Sequence, residues 1–181
     1  MKLNGVEQNS GKHAIFNTRM LAILGVLLAL DIVLTRFLSI AAWNIRIGLG
    51  FVPVVLAAML FGPLPAAIMA ALADFLGAIL FPTGPYFPGF TLTAFLTGLT
   101  FGLLIYKKPG LRNTVLAVVI VQFILGLLLN TLWISILYSS PFAPLLATRA
   151  VQSAFLSVVQ IVTIQALAQL SARVLKRAAP H

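Results

Sequence analysis

ALADFLGAILFPTGPYFPGFTLTAF, residues 71–95, decides how the whole chain is read. An apolar run carries one carboxylate, Asp74, then breaks into prolines, glycines and aromatics before turning apolar again. A carboxylate near the centre of a membrane helix costs about 2.5–3.5 kcal/mol on insertion scales. Something else in the chain must offset it.

The surrounding composition makes lipid the solvent. The chain has 181 residues, 61% of them hydrophobic and only 8% charged. Its mean hydropathy is +1.08. A soluble domain of this length cannot hide that much apolar surface, so the class is an integral membrane protein of one domain, 1–181. There is no cysteine, which excludes disulfides and thiolate metal sites. The net charge of +9 sits mainly in short loops and tails, a pattern of membrane topology rather than nucleic-acid binding. Residues 1–18 are too polar for a secretory signal and read as a loose cytoplasmic tail.

A spanning helix needs about 20 apolar residues, and fewer where it packs inside protein. Six spans are expected, at about 19–40, 48–61, 64–81, 90–106, 115–138 and 148–175, giving an all-α bundle. The breaker pair Gly62-Pro63 separates the second from the third, and PTGPYFPG, 82–89, the third from the fourth. Lys2, Lys12 and Arg19 precede the first span, Lys107, Lys108 and Arg112 fill the loop after the fourth, and Arg173, Lys176 and Arg177 follow the sixth. Six spans put these clusters on one side, which the positive-inside rule makes cytoplasmic, with both termini.

Arg36, Arg46 and Arg149 break that rule, since each falls toward the outer end of a span. Singly, each can snorkel to headgroups or tie loops together. As a set they suit an anion-binding mouth, because arginine's planar fork matches carboxylates.

Helical spacing sorts the faces. In the third span Ala67, Ala70, Ala71, Asp74, Gly77 and Ala78 form a small-residue stripe, opposite Ile68, Leu72, Phe75 and Ile79. Bulk suits lipid, so Asp74 is expected to point inward, either as a ligand group or as a structural acid bonded to a neighbouring helix. Arg149, Gln152, Ser153, Ser157 and Gln160 share a face of the sixth span, and Gln122, Gly126, Asn130 and Trp133 one of the fifth. The fourth carries Thr93 and Thr97 at i, i+4, beside Ala94, Gly98 and Gly102. Each face alone could be interhelical hydrogen-bond glue at about 0.6 kcal/mol per bond. The outer halves of the fifth and sixth, with Asn130, Trp133, Arg149 and Gln152, and the deeper Asp74 together outline a polar pocket opening outward and capped by 82–89, with Tyr86, Phe87 and Phe90 placed to stack on a flat ligand. In the first span Ala22, Gly25 and Ala29 are small residues at helical spacing, suited to close approach of another helix or to packing within the bundle. Asp31 lies off that stripe, and its position in the sequence assigns it no role.

Some chemistries are absent. No G-x-x-x-x-G-K-[ST] occurs, so the chain does not hydrolyse ATP itself. The only histidines, His13 and His181, lie in the tails, which leaves no Ser-His-Asp set in the membrane and no metal cluster.

The run ALADFLGAILFPTGPYFPGFTLTAFLTGLTFGLLIY, 71–106, resembles the substrate-binding S components of energy-coupling factor vitamin transporters, the folate-specific ones most of all. RIGLGFVPVVLAAMLFGP, 46–63, is similar to that family's second span. The likeness runs from about Arg19 to Arg177 in length, span number and motif order. It implies a non-enzymatic six-helix subunit of a prokaryotic cell membrane. Such a subunit captures a vitamin from outside at very low concentration and delivers it, by toppling in the membrane, through a coupling subunit and two cytoplasmic ATPases that use the ATP. The family's first helix carries an Ala-x-x-x-Ala pair at the coupling interface, and Gly25 and Ala29 hold those places here.

The residues rank the vitamins independently. Folate offers two adjacent donors on its pterin edge, which a carboxylate such as Asp74 accepts, and a glutamate tail for the arginines. Aromatic side chains can sandwich the ring. Thiamine is a cation ill suited to three arginines, and riboflavin needs neither feature. Folate is therefore the expected ligand, with no cofactor bound by this chain. Expected to bind it are Arg36, Arg46, Asp74, Tyr86, Phe87, Phe90, Thr93, Asn130, Trp133, Arg149 and Gln152. An S component for another pterin-like or flavin-like vitamin, or a membrane scaffold whose polar faces are only glue, are the alternatives.

Overall fold

The computed structural model describes the backbone of residues 17–41 and 46–178, and side chains within that range except at 40–47 and 171–178. The expected polar tail, apart from its last two residues, lies outside the described residues.

Among the described residues six helices run in chain order: α1 Thr18–Arg36, α2 Phe51–Phe61, α3 Pro63–Leu80, α4 Pro88–Ile105, α5 Leu111–Tyr138 and α6 Phe142–Ala178. Five are long and apolar enough to cross a membrane, and α2 is a shorter apolar helix. At 11 residues α2 reaches only about 16 Å, roughly half a bilayer core. It survives because Pro53, Val54, Val55, Ala57 and Ala58 are buried in the bundle rather than in lipid.

The boundaries shift where local chemistry dictates. The first helix stops at Arg36, and the two-residue strands Ile40–Ala41 and Arg46–Ile47 pair antiparallel, a pairing that the all-helical expectation omitted. Gly48 and Gly50, poor helix formers, delay α2 to Phe51. Pro109-Gly110 lets α5 begin at Leu111, four residues earlier than expected. Proline is tolerated in a helix's first turn, so Pro144 does not prevent α6 from starting at Phe142. Arg149 therefore sits two turns inside its helix, not at its start. The α2–α3 corner turns on Gly62, whose φ of +87° is open to glycine and strained for other residues.

The pair α3 and α4 forms the most extensive contact in the bundle. Gly98 makes it possible: a Cβ there would come within 2.5 Å of the Ala66 carbonyl oxygen. A Cβ on Gly102 would collide with Pro63. Small residues at such crossings let backbones meet, which in lipid replaces the missing hydrophobic drive. The expected sidedness of α3 is present, with Ala67, Ala70 and Gly77 buried and Leu72, Phe75 and Ile79 exposed toward lipid. Along α6, Ser153, Ser157 and Gln160 are buried, as the polar face predicted.

Within α5, residues Ile120–Leu129 wind as a π-helix. Such segments are rare and concentrate at functional sites. Sequence periodicity did not reveal this one.

Candidate functional site

The wall between α1 and α3 is organised by Arg36. Its Nη2 lies 3.6 Å from Asp74 Oδ1 and donates to the Asp74 carbonyl at 3.3 Å. Its Nη1 donates to Thr83 Oγ1 at 3.1 Å. Gly77 gives the guanidinium its path, since a Cβ there would stand 2.9 Å from Arg36 Nε. The other Asp74 oxygen, Oδ2, accepts from Thr91 Oγ1 at 2.8 Å, and the Tyr86 hydroxyl is 3.2 Å from that same Thr91 oxygen. The Asp74 carboxylate in the third span is thus offset by an arginine of a neighbouring helix. Arg36, expected at an anion mouth, is engaged by an acid of the protein.

The aromatic cluster comes from the 82–89 loop and the start of α4. Phe87 packs edge-on to Phe90 with centroids 6.1 Å apart, and against Trp133 at 5.6 Å. Gly89 clears space for the indole, because its Cβ would fall 2.6 Å from Trp133 Cδ2. Trp133 Nε1 donates to Thr93 Oγ1 at 3.1 Å, and that hydroxyl donates to the Gly89 carbonyl at 3.0 Å. Tyr86 leans on Phe75 at 5.7 Å and stays exposed.

On the far wall Arg149 donates from Nη2 to the Gly126 carbonyl at 3.1 Å, within the π-helical segment. The Gln122 side chain is buried one turn below.

These walls enclose a cavity of about 700 Å³, within the usual range for small-molecule sites. Of the expected residues, Arg36, Asp74, Tyr86, Phe87, Phe90, Thr93, Asn130, Arg149 and Gln152 line it. Trp133 is set behind Phe87 and Thr93 and buttresses them. The side chain of Arg46 lies outside the described residues. Apolar rings, two arginines and a set of amides around one space can hold a flat, partly anionic molecule by stacking and charge-assisted hydrogen bonds.

Comparison with known proteins places this architecture. The family model for the ECF transporter, substrate-specific component, matches residues 19–173. The chain belongs to that family. It is a multi-pass membrane protein and a transporter component rather than an enzyme. The S component is 43% identical over 139 residues to the Folate transporter FolT of Clostridium novyi (strain NT), covering 76% of this chain and 81% of that protein. It is 33% identical over 124 residues to the Folate transporter FolT of Leuconostoc mesenteroides, covering 67% and 66% respectively. A solved structure, the crystal structure of FolT bound with folic acid, matches with a TM-score of 0.80 at 34% identity. That match covers 83% of this chain and 93% of the other.

Several residues of the S component's cavity escaped the sequence reading. Asp31, Thr35, Gly50 and Phe51 line it from α1 and the start of α2. A signal existed for Asp31: with Leu24 and Leu27 it follows helical spacing on the face opposite Gly25, and all three are buried. The stripe Ala22, Gly25, Ala29 is exposed, and nothing described lies within 4 Å of a Cβ built on Gly25. It faces away from the bundle, unlike the small residues of α3.

Proposed function

We propose that this S component captures folate at the outer side of a prokaryotic cell membrane and passes it to an ATP-driven ECF module. The carrying observation is the cavity lined by aromatics, arginines and acids in a fold that matches a FolT structure bound with folic acid. Two relatives named as folate transporters support the same ligand. In this reading the pterin lies among Phe87, Phe90 and the acidic wall, and the glutamate tail meets Arg149, with Asn130 and Gln152 as polar partners. The positive-inside pattern supports a cytoplasmic position for both termini. Energy comes from partners, a membrane coupling subunit and two cytoplasmic ATPases, because the chain carries no phosphate-binding loop. The outward-facing stripe Ala22, Gly25, Ala29 suits the coupling subunit, since small residues permit close helix approach.

Folic acid titrated into the solitary protein in detergent tests the reading. Saturable binding, or a folate absorption band retained through purification, is expected. Purified protein that binds no folate at any accessible concentration overturns it.

A further inference from the structure

Asp31 is a buried carboxylate, 7% exposed, on the cavity wall. No described residue donates a hydrogen bond to its side chain; its backbone carbonyl, by contrast, accepts from Thr35 Oγ1 at 2.7 Å. The wall is shaped around it. A Cβ on Gly50 would stand 3.2 Å from Asp31 Oδ1 and would collide with Thr35 Cγ2. Glycine at 50 therefore leaves room for Asp31 and Thr35 against the start of α2, where both residues line the cavity.

The charged groups acting on Asp31 are Asp74 and Arg36. The guanidinium is directed to Asp74 and Thr83, and Asp74 also accepts from Thr91. Two acids thus share one base, and the acid left over is the one without a donor. A carboxylate on a cavity wall to which no described residue donates is open to accept hydrogen bonds from a ligand in that cavity. An edge presenting two adjacent N–H donors fits a carboxylate's two oxygens, as carboxylates accept from amino groups on base edges.

We infer that Asp31 is the acceptor for the donor edge of the pterin, the exocyclic amine and adjacent ring N–H, and so selects 2-amino-4-oxo heterocycles. Asp74 holds Arg36 and shapes the wall beside it. This assignment rests on the folate reading above.

The test compares folic acid with its analogue lacking the 2-amino group, on the parent and on Asp31→Asn. The parent is expected to bind the analogue about tenfold or more weakly, the scale of one charge-assisted hydrogen bond. Asp31→Asn is expected to bind folic acid about tenfold more weakly and to discriminate between the two ligands less than about threefold. An Asp31→Asn protein that binds folic acid like the parent, or keeps the parent's discrimination, overturns the assignment while leaving the folate reading intact. A parent that binds no folic acid overturns both.

A second measurement needs no substitution at Asp31 in the liganded protein. The chain has two aspartates, Asp31 and Asp74, so side-chain 13C-aspartate labelling gives two carboxylate resonances. The one that survives in Asp74→Asn belongs to Asp31. Folic acid added to the labelled parent is expected to shift that resonance most. Movement of the Asp74 resonance alone, or of neither, overturns the assignment.

Discussion

Arg36 on α1 and Asp74 on α3 are 38 residues apart in sequence and meet at 3.6 Å, with the arginine side chain 8% and the aspartate 25% exposed. The pair ties two spans together at the wall of the cavity. It also answers how an acid persists in the third span: removing either partner strands the other in a low-dielectric setting.

Arg36→Ala and Asp74→Asn are each expected to lower thermal stability in detergent and to weaken folate binding about tenfold or more. The double variant should lose less than the sum, with a coupling of about 0.5–3 kcal/mol, because the second change removes a charge already unpaired. A strictly additive cycle would show that the pair contributes nothing.

Arg149→Ala should weaken folate binding by about 1.5–3 kcal/mol, the scale of a hydrogen bond to a charged group. Arg149→Lys should recover only part, since an ammonium lacks the planar fork that matches a carboxylate. Titration with folic acid and with a tail-free pterin separates the roles. Loss of affinity for the tail-free pterin as large as for folic acid would remove the tail assignment.

Trp133→Phe keeps the ring against Phe87 but deletes the Nε1–H donated to Thr93. A stability loss of about 0.5–1.5 kcal/mol is expected, read by thermal unfolding in detergent. Folate affinity should fall only modestly, because the indole backs the cavity rather than lining it. An unchanged melting profile argues against the hydrogen bond.

Gly98→Leu drives a side chain into the Ala66 carbonyl and the Ala67 backbone, neither of which is a flexible group. Loss of folded protein is expected, measured as monodisperse yield. Gly110→Ala meets nothing within 4 Å and should express normally. Equal yields from the two would contradict the tight α3–α4 crossing.

Gly25→Leu with Ala29→Trp fills the outward stripe of α1. The solitary protein should keep near-parental folate affinity, yet fail to co-purify with the coupling subunit and ATPases, and cells relying on it should take up no folate. Continued transport would exclude the stripe as the coupling face. Loss of binding as well would show that the two substitutions disturb the fold itself, and would not assign the stripe to coupling.

The sequence by itself determined the class, the six-helix architecture and the sidedness of the spans. These follow from hydropathy, from breakers such as Gly62-Pro63, and from a 3.6-residue period that separates Ala70 and Gly77 from Leu72 and Phe75. It also brought most of the cavity's side chains into view, because polar groups are expensive in lipid and turn inward together. Boundaries such as the early start of α6 were less legible, since Pro144 reads as a breaker unless it is known to lie in a first turn.

Only the tertiary structure decided who pairs with whom. That Arg36 serves Asp74, that Arg149 meets the Gly126 carbonyl, and that Asp31 faces the cavity without a donor depend on the rotation and depth of each helix. Those are set by close approaches at Gly77, Gly50 and Gly98, where the missing side chain leaves the space. A one-residue rotation of α1, about 100°, would turn Asp31 and Arg36 away from the positions they hold. Spacing along a single helix carries no information about that angle, because the angle belongs to the contact between helices.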